Sequence, residues 1–310
     1  MGLAVSALLL WLLWRQSGGR LASLQGVDWW RADTRGYGIA ALLLLPLNIF
    51  LESRKWQWLL RDAAAAPFSR ALASVLTGIT FSLITPNRIG EYPGRLLALQ
   101  RKFTPRLISV SILGASAQFI AVLFAGFAGG FWYCWHHNAY SWPAWAINAA
   151  ALGLAFTFYF SYERWSRWID RIGWLKKFNR YSALMRHLPQ ALQWKILGIS
   201  ILRYSVFTLQ YYLALRWLGV AIPIADGLPL CAVFFWMMAV IPSISLAEAG
   251  VRAEVSWQLF HTYSDTGAVV AATMALWLVN LLIPALAGAL LILRLRIFPN
   301  KKPMINDATR

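Results

Sequence analysis

Two pairs of charged residues have the same spacing, and each pair follows an apolar run of 14 residues and a proline. Glu91 and Arg95 are four residues apart, as are Glu248 and Arg252. Residues four apart share a helix face, so each pair can form an ion pair. An Arg guanidinium can donate two parallel hydrogen bonds to a phosphate, with a nearby carboxylate balancing its charge. The pairs therefore suggest phosphate binding; the alternative is two ion pairs that only neutralise buried charge.

Four further polar residues are candidates for contacting a ligand. Arg88 and Glu254 lie beside the two pairs, whereas Arg203 and Gln210 are seven residues apart in one apolar run and share a helix face. An ionisable residue at membrane depth costs about 2.5–3.5 kcal/mol on insertion scales, so such positions suggest a function. For Arg203 and Gln210, snorkelling or a hydrogen bond between helices remains an alternative.

Four other polar residues are weaker candidates. Asn48 and Glu52 lie at the end of an apolar segment and can face the first proline break. Gln118 and Asn280 lie inside apolar runs, where we interpret them as packing contacts.

The composition indicates whether these residues belong to a soluble protein or to a membrane protein. The chain has 310 residues, of which 59% are hydrophobic and 13% charged, whereas a soluble domain carries about 25% charge. These values exclude a disordered chain and argue against a soluble enzyme. The net charge of +17 lies in loops between apolar runs, which favours anionic phospholipid headgroups over nucleic acid as the partner. We predict an all-α integral membrane protein.

Six apolar segments are predicted to cross the bilayer, although the first is short of the roughly 20 residues that a span needs. These segments are 1–14, 36–51, 107–131, 142–161, 194–216 and 267–293.

Two more apolar runs, 71–84 and 228–241, are too short to span. Each holds 14 residues, or about 21 Å of helix against a hydrocarbon core of about 30 Å. Each is followed by a proline, Pro86 or Pro242, and proline ends a helix. We predict two re-entrant hairpins, since broken backbone at membrane depth must be enclosed by protein or line a wet cavity. Ordinary spanning helices with polar ends are the alternative.

The basic loops predict the orientation. Loops 52–70, 88–106 and 164–195 and the tail 294–310 are rich in Lys and Arg, whereas loop 132–141 has no charged residue other than histidine. The positive-inside rule places the basic segments in the cytoplasm and loop 132–141 outside. The first hairpin then enters from the inside and the second from the outside.

The two hairpins also resemble each other in sequence. Glu91 and Glu248 are 157 residues apart, as are Arg95 and Arg252. Two copies that enter from opposite faces form an inverted-topology repeat, the design of many transporters with a binding site at the repeat interface. Chance resemblance of a few residues is the alternative.

We expect a single membrane domain, 1–310. Its predicted repeat halves are 36–131 and 194–293, linked by helix 142–161 and a basic interfacial segment, 162–193. Residues 294–310 are predicted to form a cytoplasmic tail. No Ser-His-Asp arrangement, HExxH, P-loop or dinucleotide motif is present in the sequence. We therefore expect no enzymatic activity, no cofactor and no bound metal.

Both breaks carry motifs of a known family. Residues 84–96, Ile-Thr-Pro-Asn-Arg-Ile-Gly-Glu-Tyr-Pro-Gly-Arg-Leu, resemble a signature of the lysylphosphatidylglycerol synthase transmembrane-region family, whose members are also called flippase-like domain proteins. Residues 241–254 resemble its second signature, with residues 246–249 in place of a glycine-rich stretch and Ala253 between Arg252 and Glu254. The resemblance implies a membrane domain that moves or handles phospholipids. We expect this chain to lack the soluble synthase domain of the bifunctional members.

Three functions remain as hypotheses. The first is a lipid translocase that moves an anionic or aminoacylated phospholipid, or another lipid phosphate, through a polar groove between the hairpins. The second is an accessory protein that presents lipid or a polyprenyl phosphate to a separate synthase or transferase. The third, ranked last, is a membrane-embedded transferase with Glu91 or Glu248 as base. For each of them we expect the cytoplasmic membrane of a prokaryote.

Overall fold

The part of the chain that the structure describes folds into a bundle of helices. The computed structural model describes residues 29, 31–64, 66–85, 90–99, 105–137, 142–161, 189–241, 245–264 and 266–294. These ranges contain nine helices and no strand. The helices are α1 (Arg35–Ala64), α2 (Phe68–Ile84), α3 (Glu91–Ala98), α4 (Pro105–His136), α5 (Trp142–Phe160), α6 (Gln190–Trp217), α7 (Ile224–Val240), α8 (Ser245–Phe260) and α9 (Thr266–Arg294).

Three of the described helices are long and apolar enough to cross a bilayer. They contain the candidate spans Arg35–Arg61, Leu107–His136 and Gly267–Leu293. Large apolar side chains also cover the outside of the bundle, among them Ile147 at 70% exposure and Leu293 at 79%. Exposed apolar surface of this kind is stable in lipid and costly in water, so the all-helical membrane class that we predicted is confirmed.

Most of the predicted apolar segments are helical. The predicted segments 107–131, 142–161, 194–216 and 267–293 correspond to α4, α5, α6 and α9. The predicted segment 1–14 and the interfacial segment through residue 188 lie outside the described residues.

The prediction of a loop over residues 52–70 is wrong for most of that range, because α1 continues to Ala64. The charges that suggested a loop are partly neutralised inside the protein, where Lys55 Nζ lies 2.8 Å from Glu52 Oε2. Trp56 and Leu60, on the same turns, are 1% and 0% exposed. The helix therefore continues because its apolar face remains buried.

In each predicted hairpin the structure describes two helices that follow one another closely in sequence. Helix α3 lies inside the predicted basic loop 88–106 and packs along α2. At the break, the Gly90 N–H donates a 2.8 Å hydrogen bond to Thr85 Oγ1. Helices α7 and α8 form the second unit. Helices α2 and α7 each have 17 residues, or about 25 Å.

The long helices hold the two hairpins in place. Helix α1 packs against α6, α2 packs against α9, and α7 packs against α4. Close approach depends on glycine, since a Cβ at Gly129 of α4 would lie 2.8 Å from the Pro229 carbonyl oxygen of α7. Gly288 of α9 is closely opposed in the same way by the backbone of α2 at Leu76. The hairpins are thus fixed by tight helix contacts on both sides.

Candidate functional site

A cavity of about 550 Å³ lies inside the bundle, and every described helix except α5 contributes to its lining. Its walls combine apolar and aromatic side chains with three uncharged polar ones, Ser82, Gln118 and Asn280. The charged lining residues are Glu52, Glu91, Arg95, Arg203, Glu248 and Arg252.

Glu52 lies at the centre of a network of ion pairs. Its Oε1 atom is 2.6 Å from Arg95 Nη2, and its Oε2 atom is 2.8 Å from Lys55 Nζ and 3.2 Å from Arg203 Nη1. Glu52 is only 7% exposed. A buried carboxylate is costly unless cations and hydrogen bonds compensate it, so one side chain of α1 holds cations from α1, α3 and α6 in place.

Arg95 is fixed from several sides. Its Nη2 atom also pairs with Glu91 one turn earlier on α3, and its guanidinium carbon lies 5.0 Å from the centre of the Trp56 ring. The Trp56 indole donates to Ser74 Oγ, which in turn donates to the Arg95 carbonyl oxygen at 2.7 Å. These contacts fix the position of the short helix α3 and orient the Arg95 guanidinium toward Glu52.

Two glycines allow α3 to lie close enough to α2 for this geometry. A Cβ at Gly78 would lie 2.7 Å from Arg95 Cγ and 2.9 Å from the Glu91 carbonyl oxygen. A Cβ at Gly94 would lie 2.9 Å from Phe81 Cβ. Any side chain at these positions would push the two helices apart.

Arg203 reaches into the cavity from α6. Its Nε atom donates a 3.0 Å hydrogen bond to Asn48 Oδ1, and its Nη1 atom donates a 3.1 Å bond to Gln118 Oε1. Its guanidinium carbon lies 5.1 Å from the centre of the Phe207 ring. The side chain is 20% exposed, against 8% for Arg95. Arg203 is therefore oriented by two neutral amides as well as by Glu52, and it is more accessible than Arg95.

Helix α8 supplies the second predicted pair to the same cavity. Arg252 Nε donates a 3.0 Å hydrogen bond to Glu248 Oε1, one turn earlier. Both side chains line the cavity, so an Arg–Glu pair from each hairpin faces the same space.

The structure brings together five of the eight predicted site residues. Gln210 and Glu254 do not line the cavity. The buried Gln210 amide donates to the Ala41 carbonyl oxygen at 3.0 Å, a contact between α6 and α1, and the Glu254 carboxylate accepts from Gln258. Arg88 lies outside the described residues. The five that line the cavity are Glu91, Arg95, Arg203, Glu248 and Arg252.

The network contains residues that sequence analysis ranked low or missed. Glu52 and Asn48 were ranked low, Gln118 was interpreted as packing, and Lys55 was assigned to a loop. The four-residue spacing of Asn48 and Glu52 within an apolar run was the available signal, since it places both on one helix face. No local signal linked them to Arg203, which is more than 150 residues away in sequence.

In the described part of the chain, no group of three His, Cys, Asp or Glu side chains is arranged to hold a metal ion. The cavity can bind an anion through its guanidinium groups, and the neighbouring carboxylates reduce the positive charge that the anion meets.

Comparison with known proteins identifies the chain at the level of the family. Neither the curated proteins nor the solved structures contain a match to it. A family model for the lysylphosphatidylglycerol synthase TM region matches residues 1–288. Because that match covers most of the chain, this membrane protein belongs to the family of the lysylphosphatidylglycerol synthase TM region.

Proposed function

We propose that this chain is a membrane lipid translocase. It would move an anionic or aminoacylated phospholipid, or another lipid phosphate, through the cavity between the α2–α3 and α7–α8 hairpins. One observation carries the proposal: α3 supplies Glu91 and Arg95, α8 supplies Glu248 and Arg252, and both pairs line one cavity. Arg forks suit phosphate oxygens, and the carboxylates set the charge that the phosphate meets.

The dimensions and polarity of the cavity suit the headgroup of a lipid rather than the whole lipid molecule. A polar headgroup cannot enter the hydrocarbon core at acceptable cost, so a translocase must offer it polar groups along the way. The volume of about 550 Å³ lies within the roughly 300–1,000 Å³ of small-ligand pockets. The acyl chains would stay in the lipid, against the apolar exterior of the bundle.

The packing of the helices supports the inverted repeat. If α1 to α4 correspond to α6 to α9, the contact of α2 with α9 has its counterpart in the contact of α7 with α4. The contacts of α1 with α2 and of α1 with α4 have counterparts in those of α6 with α7 and of α6 with α9. A two-fold relation of this kind favours a binding site between the halves.

The lengths of the hairpin helices favour re-entrance. At about 25 Å, α2 and α7 are shorter than a hydrocarbon core of about 30 Å. Each is followed, after a short stretch of chain, by a helix that lines the cavity. We propose the cytoplasmic membrane of a prokaryote as the location, with a separate synthase or transferase as a possible source of the lipid.

Translocation of a labelled phospholipid by the purified protein in liposomes tests the proposal. We expect faster movement of label between leaflets than in protein-free liposomes. We expect Glu91→Gln and Arg95→Gln to slow that movement at least about tenfold, since each removes a charge-assisted contact worth about 1.5–3 kcal/mol.

Arg54→Gln is the matched control, because Arg54 is exposed, lies on α1 near Glu52 and does not line the cavity. Unchanged transport in Glu91→Gln and Arg95→Gln would defeat the assigned roles. Retention of lipid by a protein that does not transport it would favour the accessory hypothesis. Chemical modification of the lipid by the protein alone would favour the transferase hypothesis.

A further inference from the structure

Lys55 is a buried titratable group to which the proposed route of the headgroup gives no role. Its side chain is 5% exposed, and it does not line the cavity. Its Nζ atom lies 2.8 Å from Glu52 Oε2, within one turn of α1. A buried lysine can lose its proton, whereas an arginine stays charged. Of the three cations described around Glu52, Lys55 is therefore the one whose charge can change.

The surroundings of Lys55 act on its proton in opposite directions. Burial and nearby cations favour the neutral amine of a lysine, whereas a carboxylate in contact favours the ammonium. Here the cations are Arg95 of α3 and Arg203 of α6, and the carboxylate is Glu52 of the same helix. Helices α2, α4 and α9 also pack against α1, and their described side chains in the cavity wall are uncharged. A further charge near Glu52 can therefore decide whether Lys55 holds its proton.

Glu52 connects Lys55 to the cavity. This carboxylate contacts Lys55, and it lines the cavity together with Arg95 and Arg203, which it also contacts. When Lys55 is charged, it shares in balancing Glu52, so the two guanidinium groups attract an anion more strongly. When Lys55 is neutral, the guanidinium groups alone balance Glu52, so an anion is held less tightly. The contact of Glu52 with the ammonium also gives the proton a route to water in the cavity.

An anion in the cavity and a proton on Lys55 stabilise each other. If the ammonium strengthens anion binding, a bound anion strengthens proton binding at Lys55 by the same factor. The sign of this linkage depends only on the attraction between the ammonium and the anion, so it is the same whatever the total charge of the site. Coupling between two sites usually changes affinity by a factor of about 5–150.

We propose that Lys55 takes up a proton when an anion binds in the cavity and releases it when the anion leaves. On binding, the neutral amine gains a proton from water through the Glu52 carboxylate, and on release the ammonium returns that proton to water. This inference rests on the proposed lipid-handling function and adds a source of energy to it. A cavity that opens to each side in turn then carries protons together with the lipid anion, so a pH difference drives the lipid away from the acidic side.

Calorimetric titration measures the proton uptake. The full chain in detergent is titrated with dihexanoyl phosphatidylglycerol, a phosphodiester that lacks the second ionisation of a phosphomonoester near pH 6. Buffers of different ionisation enthalpy report the number of protons taken up. We expect at most roughly half a proton per bound lipid, the value for a tenfold coupling. We expect the affinity to fall about tenfold as the pH rises from about 6 to about 10 and Lys55 loses its proton.

Lysine variants identify the group that takes up the proton. Lys55→Arg keeps a positive charge that cannot be lost, so we expect tight binding throughout this pH range and no proton uptake. Lys55→Met removes the charge, so we expect the weak binding of the wild type at high pH throughout the range. Lys195→Met is the matched control, because Lys195 is exposed and does not line the cavity. We expect this control to keep the pH dependence of the wild type.

Two results would overturn the inference. Proton uptake in Lys55→Arg equal to that of the wild type would assign the proton to another group, such as a carboxylate. Binding by the wild type without proton uptake would show that Lys55 is permanently charged. If Lys55→Met does not fold, the comparison of Lys55→Arg with the wild type still decides between these results and the expected one.

Transport assays separate this inference from the proposed function. In liposomes that are more acidic on one side, we expect labelled phosphatidylglycerol to leave the acidic leaflet faster than it does at equal pH. Transport that responds neither to the pH difference nor to Lys55→Arg would leave the translocase standing and refute the inference. Proton-linked binding without transport would support the inference and refute the translocase.

Discussion

The carboxylate of Glu52 holds together groups that would otherwise repel one another. Three cations, Lys55, Arg95 and Arg203, contact its two oxygens within 3.2 Å. Removing one partner of a buried ion pair typically costs about 3–5 kcal/mol. We therefore expect Glu52→Ala to lower the free energy of unfolding by about that amount, measured as a marked fall in the thermal unfolding temperature of the detergent-solubilised protein.

A double-mutant cycle tests whether charge repulsion is the cause. In Glu52→Ala combined with Lys55→Met, one carboxylate and one cation leave together, and the net charge of the site returns to its original value. We expect the double variant to be more stable than Glu52→Ala alone, because contacting residues are coupled by about 0.5–3 kcal/mol. Strictly additive losses would show that Glu52 acts through packing alone. Arg54→Gln, on the same helix but exposed, provides the baseline.

At the scale of the element, the position of α3 depends on a glycine of α2. A Cβ at Gly78 would meet the Glu91 carbonyl oxygen at 2.9 Å as well as Arg95 Cγ at 2.7 Å, and backbone cannot move aside as a flexible side chain can. We expect Gly78→Ala to cost about 1–3 kcal/mol, the usual cost of overpacking. We also expect it to slow lipid transport, because α3 would carry Arg95 away from Glu52.

Gly153→Ala on α5 is the matched control, since a Cβ there has nothing within 4 Å. Alanine is favoured over glycine in a helix by about 0.5–1 kcal/mol, so we expect this variant to be as stable as the wild type or slightly more so, with normal transport. Equal behaviour of the two variants, in thermal unfolding and in the liposome assay, would show that the α2–α3 contact does not position the site.

The elements also show what sequence can predict. Long apolar runs predicted α4 and α9 well, because burial in lipid needs only hydrophobicity and length. The second half of α1 was assigned to a loop, because Lys55 was counted as a surface charge. Helix α3 falls within the predicted basic loop 88–106, although Glu91 and Arg95 were expected to share a helix face. The burial of Lys55 and Arg95 depends on Glu52 and Glu91, and the contact of Arg95 with Glu52 joins residues 43 positions apart. Such pairing has no local sequence signal, whereas the four-residue spacing of Glu91 and Arg95 did predict their ion pair.

At the scale of the whole molecule, the two hairpins occupy equivalent places in the bundle. Each packs against the last long helix of the other half, α2 against α9 and α7 against α4, and each brings an Arg–Glu pair to the shared cavity. A site shared in this way is reached from opposite leaflets if the halves are inverted, and this would let a headgroup enter from either side. Membrane orientation of the hairpin ends is therefore the decisive property.

Single-cysteine labelling measures that orientation. Cys134 and Cys231, both free thiols, are first replaced by Ser and Ala. We expect Ser69→Cys and Leu97→Cys, at the open end of the α2–α3 hairpin, to react with a membrane-impermeant maleimide only from the cytoplasmic side. We expect Ala225→Cys and His261→Cys, at the ends of α7 and α8, to react only from outside. All four positions are exposed on the protein surface. If a cysteine at one of them does not react, the membrane shields it, because burial inside the protein does not. Labelling of positions 69 and 97 from opposite sides would show that α2 spans the membrane. The inverted repeat would then be wrong. The proposed route of the headgroup between two re-entrant hairpins would be wrong as well.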